Sequence, residues 1–469
     1  MTEEPVWSAE LTKLGEAIRS GAISSVCLTE LMLDRIASYD GSLHSYAAVA
    51  PEKALETARE ADAEIEAGRW RGLLHGIPLA VKDAFATVDI PTGFGSPVFA
   101  EQELREESTA TARLKEAGAV MLGKLTLTEG VYADHHPTIT APVNPFGAGH
   151  WTGTSSSGSG VAVTSGLAYA ALGTDTGGSI RLPSSCCGVV GIKPTWGRVS
   201  RHGVFPLANS LDHVGPMARS VADAAVLLGA IAGPDPADPT ASQVPVDDYL
   251  AAALSADVRG MTIGIDWTFI AARATDEVVA SIRAVVEVMQ GLGARFAEVR
   301  FPDPDPVLRG WAVQCAVECA MAHEATYPAR KADYGERLSA LLERGRAHSA
   351  RDLAAALEDR RQFNGLIERL FATIDLLIVP GLPVAGPSLE YMASLGEDPA
   401  AILAIGPFTA PFDVCGYPTI TMPCGQSSEG IPIGFQFVAK PFAEALLCQA
   451  GGAYQSETSF HRRRPTLQA

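Results

Sequence analysis

Two glycine- and serine-dense segments bracket a mainly apolar run, broken by Thr164, Ser165 and Gly166, just past the first third of the chain. Gly153-Thr154-Ser155-Ser156-Ser157-Gly158-Ser159-Gly160 leads into the apolar residues from Val161 to Leu172, and Gly173-Thr174-Asp175-Thr176-Gly177-Gly178-Ser179-Ile180-Arg181 leads out. By composition alone the first segment is a flexible linker. Its flanks argue otherwise, because the apolar run that follows needs burial. A loop of small residues feeding a buried helix N-terminus allows close backbone approach and points free amides at a ligand. In the second segment, Gly177-Gly178 ahead of Ser179 lets consecutive amides turn toward one point, which is how an oxyanion hole is made. For either segment alone, a solvated serine on an ordinary turn is the plain alternative.

Around this centre, helix and strand patterns alternate, which argues an α/β protein with a parallel or mixed sheet. Helices are expected over 9–19, capped by Ser8 and ended by Gly21, and over 26–39 and 51–67. The run 76–83 reads as a buried strand delivering Lys82 to a sheet edge. A helix over 109–117, a strand over 119–123, a helix over 161–170 and an extended run over 189–192 follow. The stretch 233–239 holds three prolines and marks a surface connection. Beyond it come a strand over 261–265 and a helix with Val278, Ile282, Val285, Val286 and Met289 at helical spacing. A long helical stretch over about 307–371, strands over 374–380, 419–422 and 433–438, and a helix over 442–454 complete the chain. We expect one domain over 1–469, with its core at about 60–230 and 370–455. A helical elaboration at about 300–372 forms part of the substrate pocket.

The bulk numbers exclude several function classes. With 469 residues, 47% of them hydrophobic, the chain can bury a large core. A formal net charge of −18 repels nucleic acid, whose binding depends on neutralising phosphates. No apolar run is long enough to span a bilayer, and the acidic start Met1 to Pro5 is unlike a signal peptide, so no membrane partner and a cytoplasmic location are expected. None of the eight cysteines forms a CxxC pair. Cys315, Cys319 and His323 share one helical face as three metal ligands would, but the same spacing describes a buried stripe beside Ala312, Ala316 and Ala320, and we expect no metal.

Taken together, Lys82, the serine loop and Gly177-Gly178-Ser179-Ile180-Arg181 resemble the amidase-signature family. The intervals, 155 − 82 = 73 and 179 − 155 = 24 residues, fit that family's layout. The resemblance extends to Gly76-Ile77-Pro78, to 188–195, to 212–217 and to Gly416-Tyr417-Pro418, nearly the full length. It implies Ser179 as nucleophile, Ser155 (in a cis peptide) as relay and Lys82 as base. The amides of Thr176, Gly177, Gly178 and Ser179 would form the oxyanion hole, and Ser156 would support the relay. The chemistry is coherent: an alcohol needs a base within reach, and a lysine serves only when burial keeps it neutral. Asp175 and Arg181 read as a brace for the loop, and His150 and His213 as structural. The chain departs from the family where Thr152, Thr154 and Ser157 replace Pro, Gly and Gly around the relay serine. His135, His136, His150 and Trp151 are also atypical and are placed at the substrate entrance.

No GxSxG elbow, SxxK motif or cofactor fingerprint is present. The resemblance therefore implies hydrolysis of an amide, anilide or carbamate through an acyl-enzyme, with a small molecule and water as partners, no cofactor, and a homodimer left open. The amidase component of a tRNA-dependent amidotransferase complex shares these motifs and is the main rival. An inactive ligand-binding protein on the same scaffold is a further one. Gly153, Thr154, Trp151, Phe408 and Phe412 are expected at the substrate pocket; His323, Tyr327, Tyr334 and Arg337 are further candidates for its lining, with surface or core positions the weightier reading.

Overall fold

Short runs that bury every side chain need cover on both faces, and such runs make the interior of a sheet. The computed structural model, which describes residues 5–100, 104–396 and 401–467, contains one mixed eleven-stranded sheet. In chain order its strands are β1 (Tyr46–Val49), β2 (Pro78–Lys82), β3 (Val120–Leu125), β4 (Ala170–Asp175), β5 (Val190–Lys193), β6 (His213–Ala218), β7 (Thr262–Ile265), β8 (Arg295–Glu298), β9 (Leu376–Pro380), β10 (Thr419–Gln426) and β11 (Pro432–Ala439). Their order across the sheet is β1-β3-β2-β4-β6-β5-β10-β11-β9-β7-β8. Strands β2, β3, β4, β5, β6, β9 and β11 are buried along their whole length, while the two outermost, β1 and β8, retain exposed positions. Those two, and the buried β4 and β6, fall outside the strands expected from the sequence.

Strand β2 runs parallel to β3 on one side and β4 on the other, so the end of β2 that carries Lys82 is flanked by the end of β4 that leads to Asp175. Strand β5 pairs antiparallel with β10, which joins the two halves of the chain through Lys193 opposite Thr419. Helices cover both faces in an α/β arrangement.

Four local expectations change. Ser8 does not cap a helix: it ends a short 3-10 turn, its hydroxyl donates to Pro5 O, and the helix begins at Leu11 after Glu10. The helix after the serine loop covers Ser157–Thr164, earlier than expected, so β4 can begin at Ala170. The stretch 307–371 divides into Asp305–Ala322, Glu336–Ala347 and Ala350–Phe371, because Pro328 cannot continue a helix and a Ser349–Asp352 capping box starts the last. The 233–239 connection is irregular as expected, yet Asp235 and Asp238 within it are buried, Asp235 accepting from Thr109 and Ser200. No helix among the described residues is long and apolar enough to cross a membrane. The acidic start, Met1 to Glu4, lies outside the described residues.

Candidate active site

Lys82 ends β2 with no solvent exposure. Its Nζ donates to Ser155 Oγ at 2.7 Å and to Thr174 Oγ1 at 2.6 Å, with no carboxylate in contact among the described residues. Burial penalises the ammonium form and brings the group down to about 7, the more distant charges of Asp175 and Asp212 only partly opposing it. An ordinary lysine is neutral in roughly one molecule in 3,000 at pH 7. Lys82 is neutral in a large fraction. Lys124 on the neighbouring β3 is also fully buried, but it sits 3.2 Å from Asp83 and donates to Phe85 O, so its charge has a partner. Lys82 thus lacks the carboxylate that faces Lys124.

The serine loop is stitched to what surrounds it. The Thr154–Ser155 peptide is cis. Ser156 Oγ donates to Thr174 O at 3.2 Å, and Ser156 N donates to Ser179 O at 3.3 Å. The last bond sets the two serine-bearing turns side by side. No hydrogen bond joins the Ser179 hydroxyl to Ser155 among the described residues; such contacts commonly tighten only around substrate.

The Ser179 turn is held from behind. In a trans peptide the N–H points opposite the C=O. Trp311 Nε1 donates to Thr176 O at 2.7 Å, Thr409 Oγ1 donates to Gly177 O at 2.7 Å, and Leu182 N donates to Gly178 O at 2.7 Å. Each of these bonds turns the following amide, of Gly177, Gly178 and Ser179, the other way. The Gly178 amide is already used, however: it donates to Asp175 Oδ1 at 2.6 Å, which narrows the expected set of oxyanion donors. Glycine is required here. A Cβ on Gly177 would stand 2.6 Å from the Trp311 ring, and Gly178 has φ +134°.

Asp175 also accepts from Ile180 N at 2.9 Å and pairs with Arg181 at 2.9 Å, both side chains fully buried. Burial alone would raise the Asp175 carboxyl, but the Arg181 guanidinium holds it well below the usual range. Asp413 caps the far side of Arg181, and burial together with the Asp175 charge pushes its own carboxyl well up. The expected brace is therefore present and larger than two residues. His213 Nδ1 lies 3.3 Å from Asp175 O, and His150 Nδ1 lies 2.7 Å from Gly386 O, both remote from a triad arrangement.

In front of Ser179 lies a cavity of about 430 Å³, walled by Thr154, Gly177, Leu182, Trp311, Leu341 and Ile402. The Asp305–Ala322 and Glu336–Ala347 helices supply one side, as the helical elaboration was expected to. Phe408 and Phe412 do not line it. Both are fully buried in an aromatic cluster, Phe408 against Phe269 and Phe412 against Phe301, because their segment packs beneath the turn rather than beside the opening. Gly153 is likewise absent from the wall; a Cβ there would meet Pro183 N at 2.4 Å, so it serves loop packing. Thr154 does reach the cavity. Trp151, His135, His136 and His150 line an adjoining space of about 640 Å³ that shares Thr154 and Arg337 with the first. Arg337, read as surface or core, lines both cavities, while His323 is buried and bonded to Tyr334 at 3.0 Å. Cys315 borders the main cavity and Cys319 packs in a separate apolar cluster.

Sequence reasoning missed Thr174, Trp311, Asp413 and Asp212 as site-building residues. Asp212, which accepts from Thr176 Oγ1 at 2.6 Å and is pushed up to about 6 by burial, lies in a stretch already singled out. Trp311 carries no local signal at all.

The chain matches the Amidase family over residues 27–448. AmiD of Mycobacterium tuberculosis is 44% identical over 467 residues, covering 100% of this chain and 98% of that protein. A glutamyl-tRNA(Gln) amidotransferase subunit of Moorella thermoacetica is 36% identical, covering 97% of this chain and 98% of its own. Among solved structures, the native peptide amidase of Stenotrophomonas maltophilia superposes with a TM-score of 0.85 at 30% identity, over 99% of this chain and 100% of that one. With the family model and the full-length relatives in agreement, the chain belongs to the amidase family and is a hydrolase of C–N amide bonds.

Proposed function

We propose that the protein cleaves a small amide, anilide or carbamate by nucleophilic attack of Ser179, through an acyl-enzyme that water then hydrolyses. The observation that carries this reading is the buried Lys82, bonded to Ser155 and brought down to about 7 without a carboxylate partner. Neutral Lys82 takes the Ser155 proton as Ser155 takes that of Ser179, and the reverse transfer delivers a proton to the departing amine. A leaving amine needs that proton far more than a leaving alcohol does. Negative charge on the carbonyl oxygen is met by the amides of Gly177 and Ser179, with Thr176 beside them and Gly178 shared with Asp175. The whole chain is read as one catalytic unit, its sheet supplying the machinery and its 305–347 helices the pocket.

The amidotransferase reading draws on the likeness to glutamyl-tRNA(Gln) amidotransferase subunits. Every group the hydrolysis needs lies in this one chain, so the purified protein should release amine from small aryl amides without ATP, tRNA or an added partner protein. Fluorophosphonate should label it once, on Ser179, and Ser179→Ala should lower kcat by about three orders of magnitude or more. Peptide mapping that placed the adduct on Ser155 or a cysteine would overturn the assignment. Glutaminase activity confined to a reconstituted complex, with no aryl-amide turnover, would favour the rival.

A further inference from the structure

Among the described residues, the ionised side chains of the main cavity are of one sign. Although acidic residues outnumber basic ones by 54 to 36 in the chain, the described wall contains Arg309, Arg337 and Arg344, with His348 beside them, and no carboxylate. On the Glu336–Ala347 helix, Arg337, Leu341 and Arg344 fall at i, i+4 and i+7, so one face presents two guanidinium groups on either side of an apolar residue. Most of the remaining wall is apolar.

The neighbours of these cations leave capacity unused. Arg337 donates Nη1 to Gly396 O at 3.0 Å and stands 3.9 Å from the exposed Asp134, while its buried Nε has no hydrogen-bond partner. Arg344 is half-buried, and no hydrogen bond or ion pair engages its guanidinium among the described residues. Glu343, next to it in sequence, is taken by Lys331 and Tyr327. Both arginines act electrostatically on the Tyr132 phenol, which also lines the cavity. Two planar donors and a hydroxyl converging in a largely apolar space make a carboxylate site: a guanidinium binds that group through two parallel hydrogen bonds, and partial desolvation strengthens them.

We infer that this cavity selects amides whose apolar body ends in a carboxylate, the anion lying between Arg344, Arg337 and the Tyr132 hydroxyl while the scissile carbonyl lies at Ser179. The inference rests on the Ser179 reading for the position of the reacting bond, but not for the anion site itself. Water adds across the C–N bond to give an acid and an amine, and the distal carboxylate passes through unchanged. Arg309, exposed at the rim, adds long-range attraction for such a substrate against the negative field of the rest of the molecule.

The test pairs adipic acid mono-p-nitroanilide with its methyl ester, which keeps the length and removes the charge. The wild type should prefer the acid by about 10- to 100-fold in kcat/KM, the worth of charged hydrogen bonds in a partly dry site. Raising salt should shrink that preference. Arg344→Gln should collapse it by about tenfold and Arg344→Lys should retain part of it. Independently of turnover, calorimetry on Ser179→Ala should detect adipate binding that Arg344→Gln weakens. Equal hydrolysis of acid and ester by the wild type, or an acid preference and adipate affinity indifferent to Arg344→Gln, would overturn the inference. If neither anilide is cleaved, adipate affinity decides alone. Failure of the Ser179 reading would appear separately, as labelling of another residue or loss of all aryl-amide turnover with adipate binding intact.

Discussion

At the sheet end, Lys82, Ser155, Ser156, Asp175 and Arg181 have essentially no solvent exposure, and each meets protein partners through hydrogen bonds of 2.6–3.3 Å. Across the cavity, Arg337 and Arg344 are half-buried on a helix face and keep donors that the protein does not fill. The first region has little capacity left for a ligand except at Ser179, because its polar atoms are committed to holding the turn. The second is built with donors in reserve. Reaction and selection are thus separated by how completely each region satisfies itself, and each can be perturbed without the other.

The largest effect that tests this separation is on the brace. Arg181→Met leaves the Asp175 carboxylate buried without its partner and should cost about 3–5 kcal/mol of stability, read from denaturant unfolding. Asp413→Asn should cost far less, since burial and the Asp175 charge already push the Asp413 carboxyl up, away from its charged form. Equal losses would show that the two acids share the charge and that the asymmetry drawn above is wrong.

Next comes pH. Protonated Lys82 cannot accept a proton, so kcat should fall about tenfold per unit below about 7 and level off above it. The stability effect of this group has a definite sign: the unfolded chain binds its proton up to the ordinary 10.5, the fold only below about 7, so its contribution rises with pH between those values. A rate profile flat from pH 5 to 9 would remove Lys82 as the base.

The smallest effects compare two aromatic residues. Trp311→Phe keeps the ring but strips the Thr176 carbonyl of its donor, loosening the Gly177 amide, and should lower kcat by about tenfold. Phe412→Leu should cost less than about 1.5 kcal/mol of stability and leave substrate preference alone, because Phe412 lies in the core. A change of specificity in Phe412→Leu would put that segment back at the pocket.

These contrasts also explain what could be read from the sequence. Lys82, Ser155, Ser156 and Ser179 lie in segments where small residues and fixed intervals are demanded by backbone geometry, so they announce themselves locally. Several of the buried strands, such as β2, β9 and β11, do so as well, through apolar runs, whereas β4 and β6, interrupted by glycine or polar residues, do not. Trp311 and Arg344 do not, since a helix face acquires meaning only from what stands opposite it, and no spacing within 305–347 says that a cavity is there. Phe408 and Phe412 misled for the converse reason: two aromatics beside a signature segment suit a binding wall as well as a packed core, and composition cannot tell which. Edge strands β1 and β8, short and partly polar, lack any pattern distinct from a loop.

The pairing of β5 with β10 has a consequence for the order in which the molecule is made. A ribosome that has delivered residues up to about 400 has already produced Lys82, Ser155 and Ser179, yet not Asp413 or the strands that close the middle of the sheet. Until those emerge, Arg181 lacks its second carboxyl, β5 has an open edge, and the turn bearing Ser179 has nothing behind Gly177 to replace Thr409. The packing behind the Ser179 turn is therefore completed only by the last seventh of the chain, so that interrupted translation products carry Ser179 on a turn without that support.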